Sequence, residues 1–381
     1  MNPHSLPAGP QSTPPIPAET PASGGAPLPR GSEAMEITFY GVRGSLSSPE
    51  TGDEIQRQIA AALARASATG ARFANEEEAL AWLAAHVPFA ERSGYGGDTT
   101  CFGIRCGEQD LAVDAGTGIR RYGIDLMRRL QPDSTLVLPL LLTHGHYDHT
   151  IGLPFFLPLY QSAKRHELNL TIYGLPRWLV ELDHVLNLTL SEPRYAPFSV
   201  EDDEGRPFTY FPVPDGPGVW SATLGAVRVS ARRVRHPIPT LGWRIEWEGR
   251  VVAILTDHEP GDPDFDRALL DFARGADLLY LDSQFTRAQY LGEEDGVSRK
   301  GWGHGYVEWC ADFARAVDPI VCVLGHHNPG AGRHRIATIE ALGRERFPRS
   351  IAAYDGMQVA IERGAVTFSG EPCGATVRFT R

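Results

Sequence analysis

Within six positions the chain sets three imidazoles and a carboxylate: His144, His146, Asp148 and His149. They follow directly on the apolar run Leu136–Leu142, which reads as a strand. On a loop leaving that strand, the alternate residues His144 and His146 can point to one side. Asp148 and His149 then reach an adjacent point. Imidazole and carboxylate are borderline ligands that zinc, manganese and iron accept. With 13 histidines in 381 residues, a chance cluster this dense in a polar loop is improbable.

One cluster supplies too few ligands for two ions, so other segments must contribute. Three more candidates stand where apolar runs end. His236 follows Arg232–Arg235 and precedes Pro237, Asp257 closes Val251–Thr256, and His326 comes just after Ile320–Leu324. Strand tips are where α/β enzymes present their chemistry. Each alone also reads as a capped strand end or an exposed histidine. Their recurrence makes them candidates.

The elements that must position these residues alternate. Glu36–Tyr40 reads as a strand, followed by runs at Cys101–Arg105, Leu111–Asp114, Leu136–Leu142, Leu170–Tyr173, Val227–Val234, Val251–Thr256, Leu278–Asp282 and Ile320–Leu324. Helical periodicity falls between them near 118–130, 175–188, 264–274, 305–316 and 334–345. Many strands with interleaved helices make a layered α/β protein. At 53–86, Ile55, Ile59, Leu63 and Ala66 share a helical face, and Asn75–Glu78 resembles a capping box opening a second helix. This is a helical hairpin or an insertion. No repeat of fixed period is visible.

Residues 1–34 carry nine prolines among Ala, Ser and Gly and are expected to be disordered. They lack the basic and apolar regions of a signal peptide, which points to a cytoplasmic protein, with Met35 a candidate start. Five irregularly spaced cysteines (Cys101, Cys106, Cys310, Cys322, Cys373) read as thiols in a reducing compartment. The longest apolar run has seven residues, so no membrane span is expected. A formal charge of -11 argues against a stable nucleic-acid partner.

The pattern resembles the metallo-β-lactamase fold, and within it the ribonuclease-Z-like branch of phosphodiesterases. The matching stretches are Phe39–Ser45, Tyr95–Thr100, Val113–Gly118, the His144–His149 cluster, His236–Ile245, Thr256-Asp257, Asp282–Thr286, Gly301–His304 and Leu324–Pro329. The first cluster marks the whole superfamily, whereas Gly301-Trp-Gly-His304 and Leu324-Gly-His-His-Asn-Pro329 point to the branch. The resemblance implies a four-layer αββα sandwich over residues 35–381 with a helical insertion at about 50–93. It implies that His144, His146 and His236 hold one divalent ion, that Asp148, His149 and His326 hold the other, and that Asp257 bridges them. Zinc is the first expectation, with manganese or iron compatible. A hydroxide held between the ions would attack phosphorus in line, with Asp148 in the catalytic set and His304 as general acid at the leaving oxygen.

By the same resemblance, Asp114 orients a ligand imidazole, or else merely caps a turn. Asp98 and Thr99 read as turn residues. His258 and His327, each next to a candidate ligand, point the wrong way for strand-end geometry and are expected beside the centre or exposed. His86, His166, His184 and His334 receive no role, and Phe155, Phe156 and Tyr160 are expected in the core. The sequence departs from the branch where Ser283 replaces the usual Ala and Gly305 the usual Ser. Only twenty residues separate His236 from Asp257, where tRNA-processing relatives carry a long arm.

The expected activity is therefore hydrolysis of a small phosphodiester, foremost a cyclic mononucleotide. One group of the branch, the anti-Pycsar proteins, destroys cyclic pyrimidine signals used in phage defence. A lactonase, thioesterase or β-lactamase is the competing enzyme, a tRNA 3′-end endonuclease is disfavoured by the missing arm, and a non-catalytic scaffold is the reading outside enzymes. Relatives in the branch are often homodimers, so a homodimer is expected.

Overall fold

The computed structural model describes residues 33–131, 134–160, 167–191, 208–369 and 377–381. The expected disorder of residues 1–34 lies outside these, apart from Glu33 and Ala34. Cys373 and His166 lie outside them too. The described strands form two sheets. The chain first lays down β1 (Met35–Gly41), β2 (Cys101–Cys106), β3 (Gln109–Val113), β4 (Thr135–Leu141), β5 (Glu167–Gly174) and β6 (Phe208–Pro212). It then builds the second sheet from β7 (Trp220–Leu224), β8 (Val227–Val234), β9 (Thr240–Trp247), β10 (Arg250–Leu255), β11 (Leu278–Asp282), β12 (Val321–Gly325) and β13 (Ser350–Ala352). Finally β14 (Met357–Glu362), β15 (Ala365–Ser369) and β16 (Val377–Thr380) return to the first sheet, where β14 pairs antiparallel with β1. The spatial orders are β16-β15-β14-β1-β2-β3-β4-β5-β6 and β13-β12-β11-β10-β9-β8-β7.

The layering follows from strand periodicity. Side chains alternate faces, so a strand buried on both sides reads as an unbroken apolar run. In β10, Val252 and Ile254 join the core between the sheets, while Ala253 and Leu255 face a second core. In β11, Leu278 and Tyr280 likewise face inward and Leu279 and Leu281 outward; in β12, Val321 and Val323 oppose Cys322 and Leu324. Numbering the helices of ten or more residues, the outer core is closed by α5 (Pro263–Ala273), α6 (Val307–Val317) and α7 (Arg333–Arg346) through Leu269, Phe272, Cys310, Phe313 and Ile339. On the first sheet, α3 (Ile119–Arg129) covers β1 and β2, and α4 (Pro176–Ser191) covers β5 and β6. This is the expected four-layer αββα sandwich.

An aromatic seam joins the sheets. Phe102 meets Phe39 edge-on at 5.3 Å and Tyr280 of the opposite sheet at 4.8 Å. Such pairs add about 0.5–1.5 kcal/mol each beyond the area they bury. Tyr280 lies two residues before Asp282, so this seam anchors the strand ends that carry the site.

The helical stretch is present as α1 (Gly52–Ala68) and α2 (Glu76–His86). Thr51 and Glu54 form a reciprocal capping box on α1. At α2, Asn75 caps Glu78 N, but the Glu78 carboxylate reaches Ala74 N instead of Asn75 N. The apolar stripe on α1 does not face the core: Ile55, Ile59 and Leu63 are 44%, 55% and 65% exposed. Among the described residues, no helix is long and apolar enough to cross a membrane.

Candidate metal centre

Every candidate ligand emerges at the C-terminal end of a strand or just beyond it. In the second sheet β10, β11 and β12 run parallel, and β8 shares their direction because it and β10 both pair antiparallel with β9. Their ends therefore lie on one edge, carrying His236 after β8, Asp257 after β10, Asp282 at the end of β11 and His326 after β12. From the first sheet, β4 delivers His144 and His146. The short helical turn Tyr147–Thr150 then supplies Asp148 and His149.

The seven predicted ligands converge. His144 Nε2 stands 2.9 Å from His146 Nδ1, which is 3.3 Å from His236 Nε2. In the neighbouring group, Asp148 Oδ2 lies 3.2 Å from both His149 Nε2 and His326 Nε2, which are 3.3 Å apart. Donors about 2.1 Å from a tetrahedral ion stand roughly 3.4 Å from one another. Both groups thus have the spacing of ligands around an ion, and either could hold one. Asp257 lies between them. Its Oδ2 is 3.3 Å from His149 Nε2 and from His326 Nε2, while its Oδ1 is 3.9 Å from His144 Nε2 and from His236 Nε2. One group is closed and the other open: Asp148, His149 and His326 are buried, whereas His146 is exposed.

The charges are strongly coupled. Burial opposes ionisation of Asp148, yet His149 and His326 overcome it and hold the carboxyl well below its usual range. Asp257 is held down likewise, its burial outweighed by His326, His149 and His144. Burial would also neutralise His149, but Asp148, Asp257 and Asp114 push it well up; His326 is pushed up to about 9 mainly by Asp257 against the same desolvation. Burial pushes His144 well down, into the neutral form that offers a lone pair. Mutual compensation is what makes so polar a cluster tolerable.

The backbone is strained here. Four non-glycine residues at the site have positive φ: Ser45 (62°), Asp114 (57°), Asp257 (54°) and His326 (54°). This conformation costs about 1–2 kcal/mol per residue. Two glycines allow close approaches. A Cβ on Gly44 would collide with His326, and one on Gly303 (φ 88°) with His236 and Pro237.

Around the ligands, Asp114 Oδ2 accepts from His149 Nδ1 at 2.7 Å and its Oδ1 from Thr143 N at 2.8 Å. It therefore orients an imidazole as well as closing a turn. His236 Nδ1 donates to Gly303 O at 2.9 Å, and Ser45 N donates to Asp148 Oδ2 at 2.7 Å. His304 also comes to the centre. Its Nδ1 lies 3.8 Å from Asp257 Oδ1 and donates to Asp282 Oδ2 at 2.8 Å. Asp282 and His304 also fall within ligand range of Asp257 and His326, but the short bond between them marks a hydrogen-bonded pair.

Asp282 joins the site without having been among the expected residues, although it carries the same sequence signal as Asp257, an acid closing an apolar run. Glu259 is a second unexpected residue. That carboxylate is buried and accepts from Tyr290 Oη, Gly301 N and Gly303 N at 2.7, 2.7 and 2.8 Å.

The remaining expectations are met in part. His258 and His327 face away from the ligands as expected, but both are fully buried, not exposed: His258 Nε2 lies 3.2 Å from Asp266, and His327 Nε2 donates to Ala353 O at 2.8 Å. Burial pushes His327 down to about 3. Phe156 is in the core and Tyr160 packs against it, but Phe155 is 53% exposed because its short 3₁₀ turn points it outward. Asp98 and Thr99 are turn residues, bonded to Thr117 and the backbone of Val42 and Arg43. His86, His184 and His334 are exposed and outside both groups.

The sequence profile of the family described as "Beta-lactamase superfamily domain" matches residues 110–327, more than half of the chain. The chain is similar to a ribonuclease Z from Bradyrhizobium sp. (strain ORS 278), with 24% identity over 296 residues, 66% of this chain and 90% of that protein. Among solved structures it is similar to the metallo-beta-lactamase fold protein YhfI from Bacillus subtilis (TM-score 0.53, 15% identity, 86% of this chain and 100% of that one). It is also similar to human tRNase Z, short form (TM-score 0.51, 19% identity, 85% and 98%), and to a diphosphatase from the PhnP family (0.52, 14%, 86% and 98%). At these identities the structural likenesses establish the fold.

Proposed function

The chain belongs to the beta-lactamase superfamily, and from that premise we propose that it is a metal-dependent phosphodiesterase acting on a small phosphodiester, foremost a cyclic mononucleotide. Asp257 carries the reading, because its two oxygens face two separate ligand groups. His144, His146 and His236 would hold one divalent ion and Asp148, His149 and His326 the other, with zinc first and manganese or iron compatible. When bound, such ions neutralise phosphoryl oxygens and lower the pKa of water.

The protein's own residues do the positioning. Asp114 fixes the tautomer of His149, and the Gly303 carbonyl that of His236, so that each offers its Nε2. Asp282 accepts the Nδ1 proton of His304, which leaves Nε2 to deliver a proton to the leaving oxygen as general acid. A cytoplasmic setting is part of the reading, and four buried free thiols suit it. So is a homodimer, for which the exposed stripe on α1 is the candidate face.

Relatives called ribonuclease Z make a tRNA precursor the competing substrate. The interval between His236 and Asp257 speaks against it. It is taken up by β9 and β10, joined through the Glu248-Gly249 turn, with no protruding arm. Carbonyl hydrolysis would use the same ligands; the Gly301–His304 and Leu324–Pro329 stretches, which resemble the phosphodiesterase branch, favour the phosphodiester. The test is turnover by purified protein of 3′,5′- and 2′,3′-cyclic mononucleotides, bis-p-nitrophenyl phosphate, a tRNA precursor, a lactone and a β-lactam. Cyclic nucleotide turnover is expected; activity confined to the tRNA or to carbonyl substrates would replace the reading.

A further inference from the structure

Trp302 is 51% exposed, although the backbone that carries it is tightly held. The buried Glu259 carboxylate grips the peptide on each side, one oxygen on Gly301 N and the other on Gly303 N. Trp302 N donates to Arg299 O at 3.1 Å. The indole lies edge-on to Phe285 at 6.2 Å, and the Arg299 guanidinium is 5.9 Å from its ring. A large aromatic ring left in water is disfavoured. The Glu259 carboxylate accepts hydrogen bonds from the amides on either side and so fixes the backbone that carries the ring.

The ring also adjoins the centre through Phe285, which meets the indole at 6.2 Å and His304 at 6.4 Å. Two residues further on is His304, and the intervening Gly303 carbonyl accepts from His236. His236 contacts His146, the exposed member of the ligand set, and the next residue, Tyr147, is 73% exposed. Two water-facing aromatic rings thus belong to the residues flanking the His146–His236 pair.

We propose that Trp302, assisted by Tyr147, is the recognition surface for a planar aromatic group carried by the phosphodiester, of the nucleobase class. This rests on the phosphodiesterase reading and adds the specificity-determining residue to it. Ring stacking tolerates any base because every base has a π-face. The expected selectivity is therefore weak among bases and strong for a base over none.

The test compares wild type, Trp302→Ala and Trp302→Phe on a 3′,5′-cyclic nucleotide and on base-free ribose 3′,5′-cyclic phosphate. Trp302→Ala is expected to raise KM for the nucleotide about tenfold, with kcat within about twofold. KM for the base-free compound should move much less, and Trp302→Phe should recover most of the loss. An equal rise in KM for both compounds, or a fall in kcat on both, overturns the proposal, since either means that the indole only supports the loop. Calorimetric binding of AMP and of ribose 5-phosphate to zinc-supplemented protein supplies a readout without turnover. Wild type should prefer AMP and Trp302→Ala should lose that preference; equal binding by wild type overturns the proposal. If wild type hydrolyses neither cyclic compound, the phosphodiesterase reading fails, and the binding comparison still decides the role of Trp302. A change in oligomeric state in Trp302→Ala would assign the ring to an interface between copies and would also overturn it.

Discussion

At the scale of single residues, Asp257 and His304 carry the account. Asp257 is buried, strained in backbone and turns one oxygen toward each candidate ligand group. Asp257→Ala is expected to lower kcat by at least about a hundredfold while the circular dichroism spectrum stays that of a folded protein. Activity above a few per cent of wild type would remove its bridging role. His304→Ala should act by leaving group: a loss of about a hundredfold or more with ribose oxygens, and a much smaller one with p-nitrophenolate, which leaves without a proton. Equal losses on the two would count against the general acid. Asp257 is legible in the sequence because a carboxylate at a strand tip interrupts an apolar run, whereas His304 is legible only through the resemblance of Gly301-Trp-Gly-His304 to the branch. Glu259 was not legible, because two of its three partners are backbone amides more than forty residues away, which no side-chain pattern marks.

At the scale of elements, the expected strands and helices match the observed ones to within a residue or three, and the reason is burial on both faces. β10, β11 and β12 have no polar face to blur the run. The elements that escaped notice are mostly short or half-exposed, such as β7 with its alternating exposure, and β14–β16, which lie beyond the motifs. α1 is the opposite case. Its periodicity was plain, but periodicity does not say what the apolar face packs against. Ile55, Ile59 and Leu63 form a stripe at helical spacing that faces water in the single chain, and covering the exposed half of each would contribute about 1 kcal/mol. A dimer through this stripe is expected in sedimentation velocity, and Ile59→Glu should convert it to monomer. Wild-type monomer at micromolar concentration, or a dimer indifferent to the charge, would set this face aside.

For the whole molecule, stability against pH follows from a carboxyl remote from the ligands. Asp355 Oδ2 accepts from Gly97 N and Asp98 N, both at 2.9 Å, and ties the end of the second sheet to the turn that Arg43 also grips through Gly96 O. Burial pushes this carboxyl up to about 7 from an ordinary 3.8. The unfolded chain ionises first, so this group's contribution falls as pH rises from about 4 to 7 and is level above that. Asp355→Asn removes the ionisation. Relative to wild type, the variant should gain stability between pH 4 and pH 8, by up to about 4 kcal/mol in denaturant unfolding. A difference that does not change with pH would mean that Asp355 ionises normally in the fold.

The same scale joins the two sheets, because the centre needs β4 from one and β8, β10 and β12 from the other. The most direct test of a two-ion centre built on Asp257 is a titration. Chelator-stripped protein is supplied with zinc in measured equivalents while hydrolysis of bis-p-nitrophenyl phosphate is followed. About two ions bound per chain are expected, with turnover rising as the second site fills. Full activity at one equivalent, or activity that persists in the stripped protein, would contradict a two-ion centre.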